Sequence, residues 1–345
     1  MIRIYPIGKT LHPRHVFRIS RAIRYRVDNV FLSLAQDDVI GYGEASPNSF
    51  FREDPIEVQA ALMGLSDYFL RQTLSTQEDI ARIWTELRER LPHSRAALCA
   101  ADTALWDLWA RLNGKTVCEC ALGRPARPVP TSATLGICPP EEWPARIAEV
   151  AGFPAVKLKV DERLDTALPA AVRAATSAAL RIDANCAWGG LDIADASRRL
   201  AGFGVEFIEQ PLPPSEDRRM PGILRASALP ILADESCAIP EDVERLPGRF
   251  SGFNIKLVKC GGLTPALEML RRGRELGLKV MIGCMLESSL LIAAGCVAAQ
   301  EADYADLDGS WLLGDDPCRG LRLRAGRLQP GEGPGLGAAP VRPPD

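Results

Sequence analysis

Histidine is almost missing from this chain: three occur in 345 residues, His12, His15 and His93, all in the first third. An imidazole-built zinc site is therefore excluded from everything that follows residue 93. Cysteine is present in number, ten in all, but lacks pattern. Cys99, Cys186, Cys260, Cys284 and Cys296 sit singly in apolar runs, and Cys118 and Cys120 find no second Cys or His cluster to complete a tetrahedral site. No charged-then-apolar segment opens the chain, so the thiols are expected to be reduced core residues of a cytoplasmic protein. No apolar run reaches membrane-spanning length once glycines and charges are counted. An excess of one charge is lacking too. The 41 basic and 44 acidic residues leave a net charge of −3, which favours a small-molecule substrate over nucleic acid.

The length suits a barrel plus an accessory domain. Residues 2–11, 17–36 and 38–46 read as strands, broken by a basic stretch and by a turn at Asp37 and Asp38, and predict a three-stranded meander. Helical patterns follow from Asp54, from about Thr76 to Arg90, and from Ser94 to Gly114. Asp54 before Pro55 and Ser94 serve as expected caps and Gly114 as a stop. Strands first and helices second predict an α+β domain over residues 1–125. From residue 126 to 317 the rhythm changes to eight short apolar runs, "VPTSATLGI", "AVKLKV", "LRIDAN", "VEFIEQPL", "PILADE", "FNIKLVK", "KVMIGCM" and "YADLDG", with helical segments between them. That alternation predicts an α/β fold with a closed parallel barrel. An open doubly wound sheet is disfavoured because no glycine-rich dinucleotide turn follows a strand. The Gly/Pro-rich tail, residues 318–345, is expected to pack back on the first domain.

Within "AVKLKV", alternation puts Lys157 and Lys159 on one face and Val156, Leu158 and Val160 on the other. Two ammonium groups so placed are expected to lower each other's pKa, making one a proton acceptor near neutral pH. Three of the next runs end in an acid: Asp183, Glu209 and Asp234, 26 and 25 residues apart. One βα unit has about that length, so the three carboxylates should converge at the barrel mouth, where parallel barrels keep their chemistry. Converging buried anions require a cation, and oxygen-only ligation favours Mg2+. Lys256, four units round the ring from Lys159, should face it across the metal. Lys259, three positions on, cannot share the inward face of an ideal strand. Two amines flanking a metal suit removal of a proton from a carbon acid and its return to the opposite face, but the same set could expel a leaving group from the β-carbon.

The KxK at 157–159, "DAN" at 183–185, "EQP" at 209–211, "ADES" at 233–236 and "NIKLxKxGG" from 254 resemble the enolase superfamily. The resemblance is to the branch of muconate-lactonising enzymes, o-succinylbenzoate synthases and dipeptide epimerases. It implies an α+β capping domain over a (β/α)7β modified TIM barrel, with the tail rejoining the cap. It also implies Asp183, Glu209 and Asp234 as Mg2+ ligands, Lys159 and Lys256 as the acid/base pair, Lys157 as a charge partner, and Asn185, Glu235 and Glu287 as supporting residues. The mandelate-racemase branch is disfavoured, because its His/Asp dyad finds no histidine in residues 126–317. Cys186 departs from relatives that carry a glutamine or glutamate after "DAN".

Asp306 and Asp308 in "YADLDG" lie on one strand face, and two inward carboxylates need a cation from the substrate. The resemblance implies that they hold a dipeptide's α-ammonium, and that "GCMLESS" at 283–289, with Met285, adjoins the substrate. Ser132 and Thr134 either reach the substrate backbone or are core hydroxyls. The loop bearing Arg18, Arg21, Arg24 and Arg26 either closes over the substrate, with Arg21 or Arg24 pairing a carboxylate, or is a solvated basic face. The expectation is an Mg2+-dependent dipeptide epimerase inverting the second residue of an L,L-dipeptide. The rivals are an o-succinylbenzoate synthase, a muconate-type cycloisomerase, and a catalytically silent binding protein. A homo-oligomer is expected, with no nucleic-acid or membrane partner.

Overall fold

A computed structural model describes residues 1–341. Strands Ile2–Leu11, Val27–Gln36 and Val39–Ala45 pair antiparallel in that order. The first half of the 17–36 run does not join them. It folds into its own hairpin, Phe17–Ile19 with Ala22–Arg24, where Arg18, Arg21 and Arg24 interrupt the apolar face that the sheet would need.

Against the sheet lies helix Arg95–Leu112, with 14 of its 18 residues buried, too many for one amphipathic face. The strand Val39–Ala45 reaches its backbone because Gly43 has no side chain, and a Cβ there would overlap the Ala100 carbonyl. Burying Leu98, Leu105 and Leu108 contributes roughly 1.5–3 kcal/mol each relative to exposure. Asp54 caps helix Pro55–Met63 as expected, accepting from Ile56 N at 2.8 Å. Ser94 does not act as expected. Its hydroxyl makes no capping bond, and Glu53 Oε1 instead accepts from Ala96 N at 2.8 Å. The far side of this helix meets the barrel: Trp106 Nε1 donates to Thr264 Oγ1 at 2.9 Å, and Thr264 N to Asp102 Oδ2 at 2.9 Å.

All eight predicted barrel strands form, as Ser132–Leu135, Ala155–Lys159, Ala179–Asp183, Val205–Glu209, Ile231–Ala233, Gly252–Lys256, Lys279–Gly283 and Tyr304–Asp306. They lie parallel in sequence order, and the fold is a (β/α)7β barrel of the TIM type. The first and last strands close the ring through side chains: Leu307 N donates to Thr131 Oγ1 at 2.7 Å and Ser132 Oγ to Asp306 Oδ1 at 2.5 Å. The fifth unit carries a 3-10 turn, Pro240–Arg245, in place of a full helix, because Pro240 and Pro247 leave too few residues between them.

The tail runs back along helix Arg95–Leu112. Leu336 N donates to Asp107 Oδ1 at 2.6 Å and Val117 N to Gly335 O at 2.8 Å. The expectation for the tail extends to residue 345, and residues 342–345 lie outside the described residues. Among the described residues no helix is long and apolar enough to cross a membrane.

Candidate active site

Register sets the floor of the site. Lys159, Asp183 and Glu209 are successive Cα partners across three strands, and so are Lys256, Gly283 and Asp306 on the other side of the ring. Asp183, Glu209 and Asp234 are buried, and each offers one carboxylate oxygen such that the three lie within 4.8 Å of one another. Directly after the first two, the chain turns through left-handed backbone at Asn185 (φ 43°), Cys186 (φ 68°) and Gln210 (φ 37°), none of them glycine. Strain of this kind persists only where the surroundings enforce it, and it gathers at functional sites. Gln210 contributes to that enforcement: its Oε1 accepts from Asp234 N at 2.7 Å.

Four lysines meet these acids. Lys157, 1% exposed, puts Nζ 2.7 Å from Asp306 Oδ2, 2.7 Å from Glu209 Oε2 and 3.2 Å from Asp183 Oδ2. Lys159 Nζ lies 2.5 Å from Asp183 Oδ2, and Lys256 Nζ 2.7 Å from Asp234 Oδ2. The expectation that Lys259 turns away is wrong. The strand ends at Lys256 and a single helical turn, Leu257–Cys260, swings Lys259 back to Asp234 Oδ1 at 2.6 Å.

Burial alone would push every charge here toward its neutral form, so the neighbours decide. Burial raises the Asp183 carboxyl, but Lys159 and Lys157 outweigh it and hold it below the usual carboxylate range. Lys256 and Lys259 do the same for Asp234. Glu209 is pushed up to about 7 by burial and by Asp183, against the pull of Lys157. The expected mutual lowering of the lysines is overturned for Lys157. Burial favours its neutral form, but Asp306, Glu209 and Asp183 carry its pKa well above the ordinary value.

The donor set fits a hard divalent ion. Lys157 approaches Glu209 Oε2 off the line of a hydrogen bond, so that buried oxygen has no aligned donor. Buried Asn185 Oδ1 and Glu235 Oε2 are likewise without one. Such orphaned oxygens cost free energy unless an ion or water completes them. Asn254, which the sequence reading missed, fixes the other oxygen of Glu209, Nδ2 to Oε1 at 2.8 Å. It needs Gly283 beside it, since a Cβ there would stand 2.5 Å from Asn254 Oδ1.

Above this floor is a cavity of about 500 Å3. Its base includes Lys157, Lys159, Lys256, Asp234, Asp306 and Asp308, and Arg21, Arg24, Phe50, Thr134 and Met285 line it as well. Arg21 is committed, donating to Glu235 Oε1 at 2.5 Å and to Asn185 O at 2.9 Å, and so ties the hairpin to two barrel loops. Arg24 donates to Ser49 Oγ at 3.1 Å and has no carboxylate partner among the described residues. Of the two readings of Ser132, substrate contact or core hydroxyl, the structure has the second: it is fully buried beneath Asp306 and does not line the cavity, so its place among the substrate-binding residues is corrected. Glu287 sits behind Met285, whose N–H it accepts at 2.9 Å; burial pushes its carboxyl up to about 8. Asp308, which accepts from Thr134 N at 2.5 Å, is pushed up to about 7 by burial and by Asp306.

Residues 142–342 match the family model described as enolase C-terminal domain-like. The chain belongs to the enolase superfamily. A protein from a Maribacter strain, an L-Ala-D/L-amino acid epimerase, is 36% identical over 314 residues, 91% of this chain and 92% of that protein. Two crystal structures of dipeptide epimerases superpose closely. That from Methylococcus capsulatus, complexed with Mg and L-Arg-D-Lys, has a TM-score of 0.87 at 34% identity, covering 98% of this chain and 99% of its own. That from Cytophaga hutchinsonii, complexed with Mg and D-Ala-L-Val, has a TM-score of 0.91 at 27% identity, covering 99% and 96%. The hairpin and the loop at 46–55 form the outer wall of the cavity, and the lysines and acids at its base stand on the barrel strands or the loops after them.

Proposed function

We propose that this chain is an Mg2+-dependent dipeptide epimerase that inverts the α-carbon of the second residue of an L,L-dipeptide, with residues 1–125 as the capping domain and 126–317 as the catalytic barrel. The observation that carries the reading is the pair of buried lysines standing on different acids of one triad, Lys159 on Asp183 and Lys256 on Asp234, from the second and sixth of eight strands. Kinship to epimerases with Mg and a dipeptide bound supports it.

Asp183, Glu209 and Asp234 would hold the ion. When bound, it supplies positive charge to the substrate carboxylate, lowering the cost of the negative charge that gathers there as the α-proton leaves. One of Lys159 and Lys256, in its neutral amine form, takes that proton, and the other, as ammonium, returns one to the opposite face. Lys157 stays charged, held so by Asp306, Glu209 and Asp183, and serves as fixed countercharge. The substrate's α-ammonium sits by Asp308 and Asp306; its arrival restores the charge that burial and Asp306 deny Asp308. Arg24, the cavity arginine without a carboxylate partner among the described residues, reads a side-chain carboxylate, while Arg21 positions Glu235 and Asn185. Asn185, Glu235 and Glu287 support the site from behind.

The deciding experiment incubates the enzyme with Mg2+ and a dipeptide library in deuterium oxide and follows α-protons by NMR. Deuterium should enter the second residue with loss of L-configuration. No exchange with any member ends the reading, and turnover of a cyclohexadiene or lactone-forming acid in preference to dipeptides decides for the lyase.

A further inference from the structure

Asp234 is held by two lysines in different ways. Lys256 Nζ makes one bond to it, to Oδ2 at 2.7 Å, and its side chain lines the cavity. Lys259 Nζ is enclosed, 1% exposed, by four oxygens: Asp234 Oδ1 at 2.6 Å, Asp234 O at 2.6 Å, Asn254 O at 2.9 Å and Cys237 O at 3.0 Å. Three of these are backbone carbonyls, one from strand Gly252–Lys256 and two from the loop that follows strand Ile231–Ala233. Releasing Lys259 would take a charged donor from all three in a dry interior, with Asp234 O keeping a further donor, Cys237 N at 3.2 Å. Releasing Lys256 orphans nothing but Oδ2 itself.

We propose that Lys259 is a positioning residue for the metal centre. It locks the Asp234 carboxylate by Oδ1 and its backbone carbonyl, so that Oδ2, shared only with Lys256, is the single oxygen Asp234 can offer an ion. The same ammonium fixes Asn254 through its carbonyl, and Asn254 fixes Glu209 Oε1. One buried cation therefore orients two of the three acids. The inference rests on the metal reading above.

Charge and position predict opposite outcomes, which makes the idea testable without turnover. By charge alone, removing either lysine should tighten Mg2+ binding, because a neighbouring cation repels the ion. By position, Lys256→Met should tighten it, whereas Lys259→Met should weaken it by roughly 10–100-fold, the usual loss when a partner that orients a ligand is removed. The measurement is calorimetric titration of the full-length protein with Mg2+, backed by the Mg2+-dependent rise in Tm. Lys259→Arg keeps the charge but cannot fit the four-oxygen socket; it should also weaken binding, and it decides the matter if Lys259→Met fails to fold. Leu270→Ala, a buried truncation on helix Leu263–Glu275, controls for lost stability and should leave Mg2+ affinity unchanged. Wild-type affinity, or tighter, in both Lys259 variants overturns the inference alone. Absence of Mg2+ binding in the wild type overturns the metal reading and the inference with it.

Discussion

Replacing Lys157 with methionine keeps the side chain out to Cε and removes the one cation that three carboxylates share. In the folded protein Asp306, Glu209 and Asp183 surround its nitrogen at 2.7, 2.7 and 3.2 Å, and it is 1% exposed, so water cannot take its place. Asp306 would keep Ser132, Glu209 would keep Asn254, and Asp183 would keep Lys159, so the loss is of charge balance rather than of every bond. Removing one partner of a buried ion pair costs about 3–5 kcal/mol. With an unfolding entropy of about 2.1 cal/mol/K per residue, a chain of 345 residues loses roughly 4–7 °C of Tm. The assay is thermal unfolding in chelator and in saturating Mg2+. The variant should melt below wild type in chelator and gain more than wild type from Mg2+, because the ion replaces the missing charge. Equal melting temperatures in chelator, or an Mg2+ gain no larger than that of wild type, would falsify the view that these acids press on one another.

Burial pushes Glu44 up to about 7 from an ordinary 4.5, so between those values the unfolded chain gives up its proton before the folded one. Stability should fall as pH rises through that window, by up to about 3 kcal/mol, and Glu44→Gln should flatten this part of the curve in urea titrations; an unchanged slope would count against it. Lys159→Ala and Lys256→Ala should each cut epimerisation roughly 10²–10⁴-fold, with solvent exchange surviving for one enantiomer only in each variant. Exchange of both enantiomers in either variant would remove the two-base scheme. Asp308→Asn should raise KM for dipeptides with a free amine and leave N-blocked analogues unaffected, and an equal loss for both would take away its ammonium role. Arg24→Met should raise KM selectively for substrates bearing a carboxylate near the hairpin, read from a panel of acidic and apolar dipeptides.

The eight barrel strands and the acid triad were legible because each depends on a local rule: alternation within five residues, and one acid where a strand stops. What could not be read depends on where the chain goes once the strand ends. Lys259 was set aside on strand geometry that holds only up to Lys256; the single helical turn that follows reverses its direction. Its only local trace is Gly261 and Gly262 just beyond, whose positive φ values of 95° and 124° end that turn. Asn254 escaped notice because its value lies in a neighbour's missing side chain, Gly283, two strand registers away in pairing and 29 positions on in sequence. The 17–24 segment has the hydrophobicity of a sheet strand, but its arginines are spent elsewhere, Arg21 on Glu235 more than 200 residues downstream. The mutual effect of Lys157 and Lys159 was misjudged for the same reason. Within one strand they are two cations, whereas in the closed ring they stand among acids delivered by four other strands or the loops after them, and that company sets the sign of the Lys157 shift. A local pattern thus identifies which groups reach the centre, and only ring closure determines which of them are neutralised, which are strained, and which face the cavity.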